Sequence, residues 1–366
     1  MAVRVLQVVT YMGRGGLESM LMNYYRRIDR TKVQFDFLTH RFFQAAYDTE
    51  ILKMGGNIYH LPKLNPVDPR YKSSLNHFFT NHPEYKIVHS HLDCMAGVPL
   101  KYAAKHQVPI RIAHAHNAEQ THDLRYPVKM LYKKRIPIYA TDLLACGKAA
   151  GEWMFGTHTF SILNNAIDAA AYTFHPDERT KMRRKLGLDE SVLLVGHVGR
   201  FRKQKNHAFL LQIFQALLKK NENAKLLLVG DGEQEEQMKQ LANKLGIQDE
   251  VIFAGSRGDV SSLLQAMDVF CLPSLYEGLP LSVIEAQAAG LPCLVSDAVS
   301  DECKITDLVR QLSLHDSAEQ WADELLSCEK EERKNTFSEI CSAGFDVGKN
   351  AETLQKYYLE KAKESE

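Results

Sequence analysis

No run in this sequence approaches the ~18 consecutive apolar residues that a membrane-spanning helix needs. The first residues, MAVRVLQVVT, pass straight into a strand pattern, with no charged, apolar and cleavable leader, so no signal peptide is expected. The seven cysteines (Cys94, Cys146, Cys271, Cys293, Cys303, Cys328, Cys341) are scattered and never spaced as C-x-x-C. An odd, dispersed set argues against a disulfide framework or a zinc site, and for reduced thiols in a cytoplasmic protein. H-E-x-x-H is missing, as is any other metal-ligand spacing, so neither metal nor cofactor is expected. Low-complexity tracts and short solenoid repeats are missing too.

Net charge is also lacking, with 45 basic against 45 acidic residues, but the balance hides an asymmetry. Residues 1–165 carry 21 Lys and Arg against 12 Asp and Glu, and the remainder carries 24 against 33. A basic first half suits an anionic partner such as a lipid phosphate, a membrane surface or nucleic acid; opposite fields that help the two halves dock are the competing reading. No nucleic-acid-binding motif accompanies the charge, so no nucleic acid is expected.

What is present is a chain of 366 residues, 45% apolar, long enough for two full cores. Short β-rich runs alternate with helical stretches at Val3–Val9, Gln34–Leu38, Asn57–Leu61, Lys86–His91, Ile110–His116, Asp142–Cys146 and Phe160–Leu163. The alternation restarts at Val192–Val198, Lys225–Val229, Val251–Ala254, Val269–Leu272 and Pro292–Ser296. Alternating strands and helices predict parallel sheets covered on both faces, here as two doubly wound α/β domains. The expected division is 1–168, 169–345 and a terminal helix within 346–366 that packs back on the first domain. A charged helix around Arg179–Leu186 is expected to open the second domain.

Ligands of open parallel sheets bind beyond the carboxyl ends of the strands, so the residues just after each strand carry most weight. The first strand leads into Gly13-Arg14-Gly15-Gly16-Leu17-Glu18 and a helix. Adjacent glycines admit a ligand close to the backbone and a helix N-terminus attracts anions, although a plain flexible turn fits equally. The first strand of the second half is followed by Gly199, Arg200, Lys203, Lys205 and Asn206, where Arg200 and Lys205 suit a diphosphate. Tyr276-Glu277-Gly278-Leu279-Pro280-Leu281-Ser282-Val283-Ile284-Glu285 follows another strand end. Gly278 allows an unusual turn, Pro280 suits the first turn of a helix, and Glu285 falls among apolar neighbours. A carboxylate there needs a partner, and a vicinal diol of a sugar or ribose is a suitable one.

These residues resemble the retaining GT-B glycosyltransferases of the large family 4, most closely in the flavour of bacterial exopolysaccharide and capsule clusters. The resemblance covers nearly the whole chain: G-G-x-E at Gly15–Glu18, G-R-x-x-x-x-K-N at Gly199–Asn206, V-G-D-G at Val229–Gly232 and E-x7-E from Glu277 to Glu285. It implies a GT-B fold, two Rossmann-like domains facing each other across a cleft, with 1–168 binding acceptor and 169–345 binding nucleotide sugar. It further implies that Glu285 holds the ribose and Glu277 the donor sugar's hydroxyls. Arg200 and Lys205 would neutralise the diphosphate, Gly15 and Gly16 would cradle phosphate or acceptor, and the backbone at Gly278 and Leu279 would add amide donors. A histidine at the end of Ile110–His116 would contact the donor sugar; aligning A-H-N with the family's ending favours His116 over His114. Glu18 and Asn165 are secondary candidates.

The implied reaction transfers a hexose or N-acetylhexosamine, with UDP the commonest carrier in the family and GDP second, to a saccharide or lipid-linked saccharide. The D-x-D pair of metal-dependent GT-A transferases is missing. A UDP-sugar 2-epimerase, a phosphorylase-like enzyme and a catalytically silent nucleotide-sugar-binding subunit are the competing readings; the oligomeric state is left open. Two departures stand out: Asn165-Ala166 replaces the usual Asn-Gly, and 298–314 lacks the frequent glycine-rich element. The basic, aromatic stretch Arg125–Arg135 reads either as a peripheral contact for an anionic membrane on the inner face or as a solvated helix.

Overall fold

The computed structural model describes residues 2–117, 125–328 and 332–364, and the chain forms two units, Met1–Ala166 with Val347–Glu366, and Ile167–Asp346. The first is built on a seven-stranded sheet of β1 (Val3–Val8), β2 (Val33–Thr39), β3 (Ile58–His60), β4 (Ile87–Ser90), β5 (Ile110–Ala115), β6 (Asp142–Ala145) and β7 (Ser161–Ile162). The spatial order is β3-β2-β1-β4-β5-β6-β7, and every pairing is parallel. The order reverses between β1 and β4, the topological switch point at which such sheets place ligands.

Every residue of β2 is buried, as expected for a strand with helices on both faces. The polar exceptions have partners or a purpose. Asp36 takes a two-pronged bond from Arg4 and a 2.8 Å bond from the Tyr85 hydroxyl. Gln7, His89 and His114 form a second polar group inside the sheet. The C-terminal helix, Val347–Glu364, buries Val347, Ala351, Leu354 and Tyr358, a stripe at helical spacing, and packs on β1 and on helix Gly16–Arg27. Gln355 caps Asp29 N at 2.8 Å and Lys361 pairs with Asp142 at 3.0 Å, fixing that helix to the first unit.

The second unit holds β8 (Leu193–Val198), β9 (Ala224–Val229), β10 (Val251–Gly255), β11 (Val269–Leu272), β12 (Cys293–Ser296) and β13 (Val309–Leu312), ordered β10-β9-β8-β11-β12-β13 and all parallel. Runs such as Leu226-Leu227-Leu228 are wholly enclosed. β13 was not expected from the sequence: its four residues, Val-Arg-Gln-Leu, are half-buried at the sheet edge and too polar to read as a strand. Helix Pro176–Lys185 is charged for a structural reason. Arg183 is buried, reaching Asp268 at 3.1 Å and the carbonyls of Ala266, Asp189 and Val192, while Arg179 meets the same carboxylate at 2.6 Å. Removing one member of such a buried pair costs about 3–5 kcal/mol. All seven cysteines are free thiols, and six of them are buried.

Candidate active site

In the second unit, the loops after β8, β9, β11 and β12 converge. Gly199, directly after β8, receives the backbone of Gly230, which follows β9. At φ +145, a β-carbon on Gly230 would lie 2.1 Å from Gly199 O, so only glycine fits. Phe201 N then bonds Asp231 O at 2.8 Å, holding Arg200 between two anchored residues. Asn206 adopts left-handed backbone (φ 56), which turns the chain from Lys203–Lys205 into helix His207–Leu218.

Lys205 Nζ reaches Glu277 Oε1 at 2.8 Å, and Ser274 Oγ donates to the same oxygen at 3.3 Å. Gln204 ties the two loops together: its carbonyl accepts from Leu275 N at 2.8 Å and its side chain donates to Tyr276 O at 3.1 Å. Glu277 is also held by backbone. Its N–H donates to Ala298 O and its C=O accepts from Ser300 N, both at 3.2 Å, in an isolated parallel bridge with Val299. The stretch without the glycine-rich element therefore supports the first acid of the E-x7-E pair. Gly278 and Leu279 lie partly exposed between Glu277 and helix Leu281–Ala288. Gly278 allows an unusual turn, but it is not among the positive-φ glycines. Pro280 is the N-cap, one residue before the first turn where it was expected.

Glu285, inside that helix, accepts a 2.9 Å bond from the Tyr172 hydroxyl. Burial pushes its carboxyl above the usual range, and Tyr172 and Lys205 act in the opposite direction. Tyr172 sits at the end of the short helix Ala169–Tyr172, and no spacing in the sequence marked it. Below Lys205, His197 and His207 are buried with ring centroids 4.6 Å apart, and burial with the nearby ammonium keeps both neutral, His207 at about 3.

In the first unit, Gly15 caps helix Gly16–Arg27 in extended conformation, with Glu18 in its first turn. A β-carbon on Gly16 would meet no atom of the described residues within 4 Å, so none of them requires glycine there. His114 is enclosed within β5, and His116 lies just past it, partly exposed. His89, His91, His114 and His116 stack at centroid distances of 4.1 to 5.2 Å. Burial drives all four far down, His116 to about 3. One nitrogen each of His89, His91 and His114 fall within 4.8 Å of one another, a clustering the linear spacing does not reveal. Asn165 is buried beside His116.

Two parallel sheets, each with an order reversal, make up a GT-B fold. The model of the family described as Glycosyl transferases group 1 matches residues 178–339. The chain is 33% identical to the putative glycosyltransferase EpsF of Bacillus subtilis over 97% of this chain and 96% of that one. It belongs to this glycosyltransferase family. It is 25% identical, over 76% of each chain, to the UDP-Gal:alpha-D-GlcNAc-diphosphoundecaprenol alpha-1,3-galactosyltransferase of Escherichia coli. Anabaena HepE, solved with UDP and glucose, has the same fold, with a TM-score of 0.80 over 97% of this chain and 99% of that one at 18% identity.

Proposed function

We propose that the chain is a retaining glycosyltransferase that moves a hexose or N-acetylhexosamine from a UDP-sugar to a saccharide or lipid-linked saccharide in cell-surface polysaccharide synthesis. The observation that carries this reading is the Lys205–Glu277 pair, with Glu285 and Tyr172 on the adjoining helices. The galactosyltransferase relative, which by its name uses UDP-Gal and a lipid diphosphate-linked GlcNAc, supports the donor and acceptor classes.

As the sugar–phosphate bond breaks, negative charge grows on the diphosphate. Arg200, Lys205 and amides at Gly278 and Leu279 stabilise it as fixed charges and dipoles, with no reorganisation during the reaction. Glu277 holds sugar hydroxyls with one oxygen on Lys205, and Glu285, oriented by Tyr172, takes the ribose diol. His116 contacts the donor sugar, and the first unit binds the acceptor near Gly15, Gly16 and Glu18. The acceptor hydroxyl attacks from the face the diphosphate leaves, and its proton passes to a leaving phosphate oxygen, so configuration is retained without a protein nucleophile. These fixed cations make the reaction independent of a divalent ion.

Helix Tyr126–Lys133 has no buried residue and exposes Val128 and Leu131, with Ile138 exposed just beyond. Lys134 and Arg135 are exposed beside them, a combination that suits an anionic membrane. Lys133 sits 4.0 Å over the Trp153 ring and Arg135 5.4 Å over the Tyr132 ring.

Thermal shift with UDP-, GDP- and ADP-sugars, with and without EDTA, tests the donor. Stabilisation by a UDP-sugar, unchanged by EDTA, is expected; no shift with any donor would overturn the reading.

A further inference from the structure

Gln7, in the central strand β1, is fully enclosed, where an uncharged amide is retained only if it is hydrogen-bonded. Its two ends differ. The amide nitrogen points at the Tyr358 hydroxyl, 3.3 Å away on the C-terminal helix, and the amide oxygen at His91 Nε2, 2.9 Å away. An amide nitrogen only donates, so Tyr358 Oη accepts from Gln7 and gives its own proton to His89 Nδ1 at 2.7 Å. An amide oxygen only accepts, so His91 carries its proton on Nε2. His91 Nδ1 is then a lone pair, and it accepts from His116 Nε2–H at 2.9 Å. One amide thus sets the tautomer of three neutral imidazoles, and it leaves His116 with a bare Nδ1. Among the described residues, that nitrogen and the Oδ1 of Asn165 are both shielded from solvent with no hydrogen-bond partner.

We propose that Gln7, His91 and Tyr358 are positioning residues that hold His116 as the Nε2–H tautomer, so that His116 Nδ1, beside Asn165 Oδ1, accepts hydrogen bonds from hydroxyls of the donor sugar. Two acceptors select a neutral hydroxyl and disfavour a phosphate oxygen, which has no proton to give. The claim about the sugar rests on the donor reading above; the claim about the tautomer does not. The same histidines do not make a metal centre. His89 and His91 both have their lone pairs engaged in the relay, so within the cluster of His89, His91 and His114 only His114 keeps a free imidazole lone pair.

The test is long-range 1H–15N correlation of the histidine side chains in the full-length protein, with His116 assigned through His116→Gln. His89, His91 and His116 are each expected as a single Nε2–H tautomer. In Tyr358→Phe, which keeps the ring and its edge-on contact with Phe35, His116 should become a mixture of tautomers. Gln7→Met, which retains the side chain's length but removes the amide that fixes His91, should give the same mixture and serves as a second variant should that one fail to fold. UDP-glucose, but not UDP, should move the bare Nδ1 resonance. A His116 that carries its proton on Nδ1, a tautomer unchanged in both variants, or Zn2+ binding that shifts His89, His91 and His114 together would each overturn the relay. The predicted tautomer with no response to any nucleotide sugar would leave the relay standing and sink only the assignment to the donor.

Discussion

Lys205 Nζ lies 2.8 Å from Glu277 Oε1, and the two side chains are only 16% and 11% exposed. A solvated pair would contribute ~0–1 kcal/mol, but one so far withdrawn from water is strongly coupled. Lys205→Ala and Glu277→Ala should each lower kcat/KM by about 10²- to 10³-fold, the range for losing one preorganised charge. The double variant should be little worse than either single one, because each removal already disables the pair. Steady-state kinetics on the four proteins decides this, and strictly additive losses would show that the two act separately.

The acid limb of activity should follow Glu285. Burial raises its carboxyl, and the Tyr172 hydroxyl is the largest influence in the opposite direction. Tyr172→Phe leaves burial less opposed, so the carboxylate takes up its proton at a higher pH. The acid limb of the kcat/KM profile should therefore shift upward in this variant. A limb that does not move would mean that the charge on Glu285 is not required.

Stability should collapse on the acid side. His116 and His207 lie at about 3 and His40 at about 4, with His89, His91, His114 and His197 also well below the ordinary 6.5, in every case chiefly through burial. Below 6.5 the unfolded chain takes up protons that the folded chain refuses. Stability is therefore complete above pH 6.5 and is lost as pH falls from there towards the folded values. Each group costs up to about 1.4 kcal/mol per pH unit across that window. The melting temperature should fall steeply from pH 6.5 to 5; a flat profile would contradict the neutral clusters.

Charge reversal at Lys134 and Arg135 should abolish flotation of the protein with anionic liposomes and leave its melting temperature unchanged, since both side chains are exposed. Each basic residue near such a surface contributes about 1 kcal/mol. Unchanged flotation would remove the membrane contact.

The strands were legible because buried parallel strands are near-continuous apolar runs, as at Leu226-Leu227-Leu228, while β13 was hidden by its polar edge composition. Glu277 and Glu285 were legible because their spacing lies within one loop and helix. Tyr172 was not, being 113 residues from the carboxylate it orients. The same holds for Gln7 and Tyr358, 351 residues apart, whose contact exists only once the C-terminal helix packs on β1. The histidine pairs at the ends of Lys86–His91 and Ile110–His116 were visible, but their directionality comes from an amide on a third strand.

The measurement that bears most directly on the account is transfer itself. Purified protein is incubated with radiolabelled UDP-sugars and lipid-diphosphate-linked saccharides, and the label entering the lipid fraction is counted alongside released UDP. Stoichiometric UDP release and incorporation, an α-linked product from an α-donor, no loss in EDTA, and a loss of about 10²- to 10³-fold in Lys205→Ala are expected. Donor that binds yet yields neither UDP nor labelled product with any acceptor would contradict it.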